Sequence, residues 1–396
     1  MSLKTVEISP NIFWVGIEDW NRRIFDALIP LPYGTSYNSY LVVGRNKIAL
    51  IDTVNPGFEE VLLRKINQIL PPERIDYVVM NHAEPDHAHG ISKVMEVARN
   101  AKLVATKMGV SMAEAFFNIP SNKAIVVKEA DVLVLGDKTL RFVEAPWLHW
   151  PETMFTFDVE DRILFSCDFF GAHFASDNVY ADEIGGLLLP EAKRYYAEIM
   201  MPLAASARKA LDKVRVTKAK MIAPSHGPIY RNPEPIVEAY ENWTRGPLRK
   251  KVVIVYVSMW GSTQMLERTI TETISGEGVE AIPYNLTVAD ISHVLRDLVD
   301  SSAVVIGTPT VLGGAHPLAM YAAELIASFG IRGKTAAVFG SFGWGGGGMK
   351  KVKTRLEQGG FDVIDSFEIR GSPKPEHIAK AIALGKAVAA RAKGES

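Results

Sequence analysis

The stretch Asn81-His82-Ala83-Glu84-Pro85-Asp86-His87 constrains this chain more than any other part of it. It follows the apolar, β-branched run 77–80, which reads as a strand, so it occupies a loop just past a strand end. Two imidazoles and two carboxylates so close together can hardly all be buried unless they share a cation. Alternate residues of an extended segment point the same way, so His82 and Glu84 can serve one ion. Asp86 and His87, past the bend at Pro85, can serve a second. The competing reading is a polar surface loop in which Asp86 caps a helix.

Three later pieces strengthen the metal reading. Trp147-Leu148-His149-Trp150 places a histidine in an aromatic, apolar setting, which alone would read as a core histidine. Ser166-Cys167-Asp168 ends the strand-like run 162–165, where a carboxylate can bridge two ions. Pro224-Ser225-His226-Gly227 follows the mostly apolar run 220–223 and sets another histidine at a strand end. Cys167 is the single cysteine of the chain, which excludes an intrachain disulfide, a four-cysteine metal site and a cysteine-ligated iron–sulfur cluster.

The chain changes character at Trp243-Thr244-Arg245-Gly246-Pro247-Leu248, a Gly-Pro turn flanked by basic residues. Two domains are expected, 1–248 and 249–396. In the second, strand-like runs at 252–257, 279–286, 303–306 and 335–339 are separated by helical patterns, which predicts a doubly wound parallel sheet. The first strand runs into Ser258-Met259-Trp260-Gly261-Ser262-Thr263, where hydroxyls, backbone amides and a helix start could hold a terminal phosphate. No G-x-G-x-x-G fingerprint is present, and an ordinary strand-to-helix turn capped by serine is the alternative. Two further glycine-rich loops are expected at strand ends, where open α/β sheets bind ligands. One carries Pro309, Thr310, Leu312 and Gly313; the other is Ser341-Phe342-Gly343-Trp344-Gly345-Gly346. Trp260 and Trp344 offer faces for a flat ring.

The 396 residues carry 44 basic and 45 acidic side chains, a balance that argues against a nucleic-acid partner. No apolar run is long enough to span a membrane and the N-terminal residues lack a signal core, so a soluble cytoplasmic protein is expected.

Taken in order, H-x-E-x-D-H, then His149, Asp168 and His226, the first half resembles the metallo-β-lactamase fold, an αββα sandwich. In hydrolytic members the position of Glu84 is usually a second histidine and the metal is zinc. An added carboxylate makes the site harder and favours redox iron. One ion would be held by His82, Glu84, His149 and Asp168, the other by Asp86, His87, Asp168 and His226. The three loops of the second half look like those of flavodoxin, which binds FMN.

The combination resembles the flavodiiron proteins, or A-type flavoproteins, over essentially the whole chain. The resemblance implies an oxidoreductase with FMN and two iron ions that reduces dioxygen to water, nitric oxide to nitrous oxide, or both. It also implies an external electron donor, a rubredoxin-like protein or a reduced deazaflavin coenzyme, and a head-to-tail homodimer that can form a tetramer. Trp147, Trp150 and Tyr37 are expected around the metals, and His173 beside them. Cys167, one residue before Asp168 on a strand, is expected to point away from the metals, buried and inert. His89 reads as a solvated or capping histidine or an extra proton donor, and Asp26 as a carboxylate near the iron. Two rivals remain: a zinc hydrolase of the lactamase fold with a flavodoxin module, and a flavin electron carrier with a degenerate metal domain.

Overall fold

A computed structural model describes residues 3–329 and 333–395. The chain divides into two compact units, 1–196 with 203–244, and 197–202 with 245–396.

The first unit is built on two sheets. Seven strands run in the order Val6–Ser9, Ile12–Trp14, Tyr40–Val43, Ile48–Ile51, Tyr77–Val79, Lys102–Thr106, Ala124–Val127. The last four pair in parallel. The second sheet has five strands, Val132–Val134, Thr139–Glu144, Met154–Asp158, Ile163–Cys167 and Met221–Pro224. Strand residues alternate between faces, so one face of the first sheet (Trp14, Tyr40, Val42, Ile51, Val79, Val104) meets Leu140, Phe142, Met154 and Phe165 of the second in a shared core. The opposite face (Leu41, Leu50, Val78, Leu103) is covered by helices Glu59–Asn67, Gly90–Val97 and Lys107–Phe117. Helices Ala204–Thr217 and Glu234–Arg245 lie beyond the second sheet. Lys213 of the first reaches the Glu144 carbonyl at 2.7 Å, and Tyr240 of the second packs edge-on to Phe169 at 5.0 Å. The result is an αββα sandwich.

Topology gathers the chemistry at one edge. Tyr77–Val79, Ile163–Cys167 and Met221–Pro224 deliver the segments at 81–87, Asp168 and His226 from their carboxyl ends. Met154–Asp158 is antiparallel to Ile163–Cys167, so the loop preceding it, with His149 and Glu152, lies at the same edge. The Met154 amide donates to the Asn81 carbonyl at 2.9 Å and ties the two sheets together there.

In the second unit a parallel sheet runs Glu280–Asn285, Arg249–Tyr256, Ser301–Val311, Thr335–Phe342, Asp362–Arg370. Helices Ser262–Gly276 and Pro375–Lys393 pack on one face against Val252, Ile254, Ala303, Val305 and Phe339. Helices Ile291–Leu298, Pro317–Ser328 and Gly348–Gln358 cover the other, giving the doubly wound flavodoxin-like arrangement. No helix among the described residues is long and apolar enough to cross a membrane.

Candidate metal centre and flavin cradle

Asp52 shapes the loop that carries the first four predicted ligands. It sits just past Ile48–Ile51, and its carboxylate accepts the Asn81 backbone amide at 2.7 Å and the Asn81 side-chain amide at 3.0 Å. The Asn81 side chain in turn accepts the Thr156 hydroxyl at 2.7 Å. With Asn81 fixed on both sides, His82 enters the interior. Pro85 then starts a one-turn helix, Pro85–Ala88, in the position where its missing N–H costs nothing. Asp86 lies inside that turn and Glu84 occupies the cap position, so the capping role considered for Asp86 is not the one it has.

The structure brings the seven predicted ligand residues together as two groups. His82, Glu84, His149 and Asp168 have donor atoms within 4.8 Å of one another, and so do Asp86, His87 and His226. Asp168 faces both groups. Its Oδ2 is 3.6 Å from His82 Nε2 and 3.7 Å from His149 Nε2. Its Oδ1 is 3.0 Å from His87 Nε2 and 3.5 Å from His226 Nε2. Glu84 lies 3.2 Å from His82 Nε2 and 2.8 Å from His149 Nε2, while Asp86 lies 3.2 Å from His226 Nε2. Glu84 and His149 are the partly exposed members; the other five are buried.

These donors fit cations better than they fit each other. Both Asp86 carboxylate oxygens and both His87 ring nitrogens are buried with no hydrogen-bond partner among the described residues, although His87 Nε2 is 3.0 Å from Asp168. Atoms that approach this closely without hydrogen-bond geometry are aimed at a common point, as ligands around an ion are. The local field agrees. Burial works against a charged His87, yet Asp86 and Asp168 push its pKa up to about 9. Burial opposes the charged form of Asp168 too, but the His87, His82 and His149 imidazoles hold it well below the usual carboxylate range. Three anionic carboxylates among four imidazoles stabilise positive charge at this spot.

Around the donors, Trp150 stands edge-on to His82 at 5.0 Å and Tyr37 edge-on to His226 at 5.9 Å. Trp147 is exposed. His173 is buried, with Nδ1 3.0 Å from the Thr35 hydroxyl and its ring 4.6 Å from that of Phe25. Burial and the neighbouring His226 keep it uncharged by pushing its pKa well down. His89 faces outward and pairs with Glu59 at 3.3 Å, away from the metal donors. Asp26 sits on the turn between Ile24–Phe25 and Ile29–Pro30, where partial burial and then Glu84 raise its pKa.

Cys167 departs from expectation. It is buried, but its sulfur groups with His87 and Asp168, 3.8 Å from Asp168 Oδ2. Strict alternation fails because the pairing register shifts between Phe165 and Cys167, and Cys167 adopts φ 51°. Burial and the adjacent Asp168 raise the thiol pKa well above its ordinary value, so the thiolate is suppressed.

Three residues were not read from the sequence. Glu152 shares a 2.7 Å hydrogen bond with His82 Nδ1. The Tyr195 hydroxyl donates to Asp168 Oδ1 at 2.9 Å. Thr35 Oγ1 lies 3.3 Å from His226 Nδ1, beside the 2.6 Å bond from that nitrogen to the Ser36 carbonyl. Only Glu152 had a local signal, a carboxylate directly after the proline that follows Trp150.

In the second unit, the carboxyl ends of the parallel strands frame a cavity of about 330 Å³. Ser258, Met259, Trp260, Ser262, Thr263, Pro309, Thr310, Ser341, Phe342, Gly343 and Trp344 line it, together with Gly371 and Ser372 from the loop after Asp362–Arg370. Gly261, Leu312, Gly313, Gly345 and Gly346 are not on its wall. Ser258 Oγ accepts the amides of Gly261 and Gln264 at 3.1 and 3.2 Å, shaping the entry to helix Ser262–Gly276. Thr263 and Ser341 hydroxyls meet at 2.9 Å. One expected loop is mostly strand: Ser301–Val311 runs through Pro309 and Thr310 and turns back at Leu312-Gly313 into Gly314–Ala315. Parallel pairing of Pro309 with Ser341 extends the strand beyond the apolar run that marks it in the sequence. Trp260 and Trp344 are almost wholly exposed, leaving their faces open to a planar ring.

The family described as ODP family beta lactamase matches residues 35–227, and flavodoxin matches 254–385. A nitric oxide reductase of Moorella thermoacetica is 35% identical over 393 residues, 98% of each chain. The flavodiiron protein from Giardia intestinalis superposes with a TM-score of 0.95 at 31% identity, covering 100% of this chain and 98% of that one. The rubredoxin oxygen:oxidoreductase of the anaerobe Desulfovibrio gigas does so with a TM-score of 0.95 at 30% identity, covering 99% of both. The chain therefore belongs to the flavodiiron protein family and is an oxidoreductase.

Proposed function

We propose that this protein reduces dioxygen to water, nitric oxide to nitrous oxide, or both, drawing electrons from an external donor through FMN to a di-iron centre. Residues 1–248 would carry the metals and 249–396 the flavin. The observation that carries the reading is the split of the donors into two groups that meet at Asp168, one carboxylate oxygen serving each. Each group offers two imidazoles, one carboxylate of its own and the shared one. This mixed imidazole and carboxylate set suits iron.

When bound, FMN holds two electrons and two ferrous ions two more, matching the four that dioxygen takes up with four protons. The chain's own residues supply the setting. Glu84 and His149, partly exposed, mark the side from which a small gas can reach the centre. Phe25, Tyr37 and Trp150 keep bulk water from the ligand rings. Tyr195 holds Asp168 with one oxygen toward each donor group, the orientation in which it would serve both ions. In the second unit, the amides at the start of helix Ser262–Gly276 and the hydroxyls of Ser262 and Thr263 suit the FMN phosphate. Exposed tryptophans at the flavin cavity suit a head-to-tail dimer in which the flavin of one chain serves the metals of another. The donor is a rubredoxin-like protein or a reduced deazaflavin coenzyme.

The test is anaerobic. Iron, zinc and FMN are quantified in the purified protein, which is then reduced, and flavin reoxidation is followed after pulses of each gas. About two irons and one FMN per chain, with reoxidation by either gas, are expected. Zinc in place of iron, with a flavin indifferent to both gases, would favour a hydrolase of the same fold.

A further inference from the structure

The two donor groups are matched in composition but not in what stands behind them. His226 turns its Nδ1 to a neutral group, the Ser36 carbonyl at 2.6 Å, and among the described residues His87 Nδ1 is buried without a hydrogen-bond partner. His82 turns its Nδ1 to a carboxylate, Glu152 Oε1, at 2.7 Å. Glu152 is 3% exposed, and the same oxygen accepts the Ala83 amide at 2.9 Å. Its other oxygen is buried with no hydrogen-bond partner among the described residues. A half-satisfied buried carboxylate is costly to keep. Its position accounts for it. A carboxylate accepts a proton-bearing nitrogen, so it fixes the tautomer of His82 with Nε2 free to bind metal, orients the ring and makes it a stronger donor.

Resting on the di-metal reading above, we propose that Glu152 is a positioning residue for one metal position only, the one formed by His82, Glu84, His149 and Asp168. The pair of positions is thereby unequal in the outer contacts that support them, and substitution of Glu152 weakens metal binding at the first while sparing the second.

Cobalt(II) alone is the probe, loaded into the metal-free full chain and followed by visible absorption and metal analysis during chelator competition. Glu152→Gln retains an oxygen for Ala83 and His82 but removes the charge; its affinity at one position should fall about 10-fold. Glu152→Ala should approach a 100-fold loss at that position, the upper end for an outer partner of a ligand histidine. His226→Asn, which removes a ligand from the second position, should bleach the other part of the spectrum. Glu152→Gln combined with His226→Asn should then weaken both. Retention of both cobalt ions at wild-type affinity in Glu152→Gln and Glu152→Ala overturns the proposal, as does equal weakening of both positions. Far-UV circular dichroism and FMN content report on folding; if Glu152→Ala fails to fold, Glu152→Gln alone decides. A wild-type protein that takes up zinc and ignores both gases defeats the proposed function but leaves this assignment to be read from the same cobalt titration.

Discussion

Asp168→Asn should remove one metal ion, and the structure says which one. Asp168 presents Oδ2 to His82 and His149 at 3.6 and 3.7 Å, and Oδ1 to His87 and His226 at 3.0 and 3.5 Å. Asparagine keeps one oxygen and turns the other corner into an NH2, which donates hydrogen bonds and cannot bind a cation. The Tyr195 hydroxyl donates to Oδ1 at 2.9 Å, so it should hold the amide oxygen there and direct the NH2 toward His82 and His149. The position of His82, Glu84 and His149 then loses a ligand and a charge. Removing one partner from a buried charge pair costs about 3–5 kcal/mol. At about 1.4 kcal/mol per decade, that is roughly two to three and a half orders of magnitude in affinity. The assay is iron per chain after equilibration with a chelator that wild-type protein withstands. About one ion per chain is expected. Adding Tyr195→Phe frees the amide to flip and should make the loss less selective. Two ions per chain at wild-type affinity would refute the bridging assignment.

Asp158 is buried at the end of strand Met154–Asp158, where desolvation lifts its pKa from 3.8 to about 6. A carboxyl raised in the folded state costs stability as pH climbs through that interval and none below it; the full cost, up to about 3 kcal/mol, applies above pH 6. Asp158→Asn, which can still accept the Asp161 amide, should therefore raise the melting temperature at pH 7.5 and leave it unchanged near pH 3.5; a gain at both would refute the cause. Glu84→His should shift the iron-to-zinc ratio toward zinc in protein loaded from an equimolar mixture, since the added ligand is softer. An unchanged ratio in metal analysis would show that Glu84 does not set selectivity. Thr263→Val removes the hydroxyl paired with Ser341 in the cavity proposed to hold the flavin and should weaken FMN binding about 5-fold by fluorescence titration, about 1 kcal/mol. Unaltered affinity would place the flavin elsewhere.

The seven donor residues were legible because each stands in a short polar segment directly after an apolar run or beside aromatic residues, a pattern that local sequence displays. The flavin-cavity residues were legible for the same reason, but loop lengths were not. Ser301–Val311 continues as strand because a neighbouring strand offers hydrogen bonds as far as Ser341, and that partner lies 32 residues away from Pro309. Gly371 and Ser372 reach the cavity only because Asp362–Arg370 is an outer strand of the same sheet. Cys167 was misjudged because alternation holds only for regular strand, and a register shift with a left-handed residue turns its sulfur toward His87 and Asp168.

The chemical inventory is already present in the unfolded chain: imidazoles and carboxylates in short polar segments, one cysteine, a hydroxyl-rich turn at a helix start and the order of the two halves. Those properties reside in residue types and short-range spacing, which the chain carries before it folds. Folding adds the rest: Asp168 divides its oxygens between two groups, Tyr195 steers it, and Glu152 stands behind His82 while a carbonyl stands behind His226. Each of those contacts joins segments that meet because two sheets pack face to face and end at a common edge. Such contacts depend on register and packing across the whole unit, and no local window of sequence contains them.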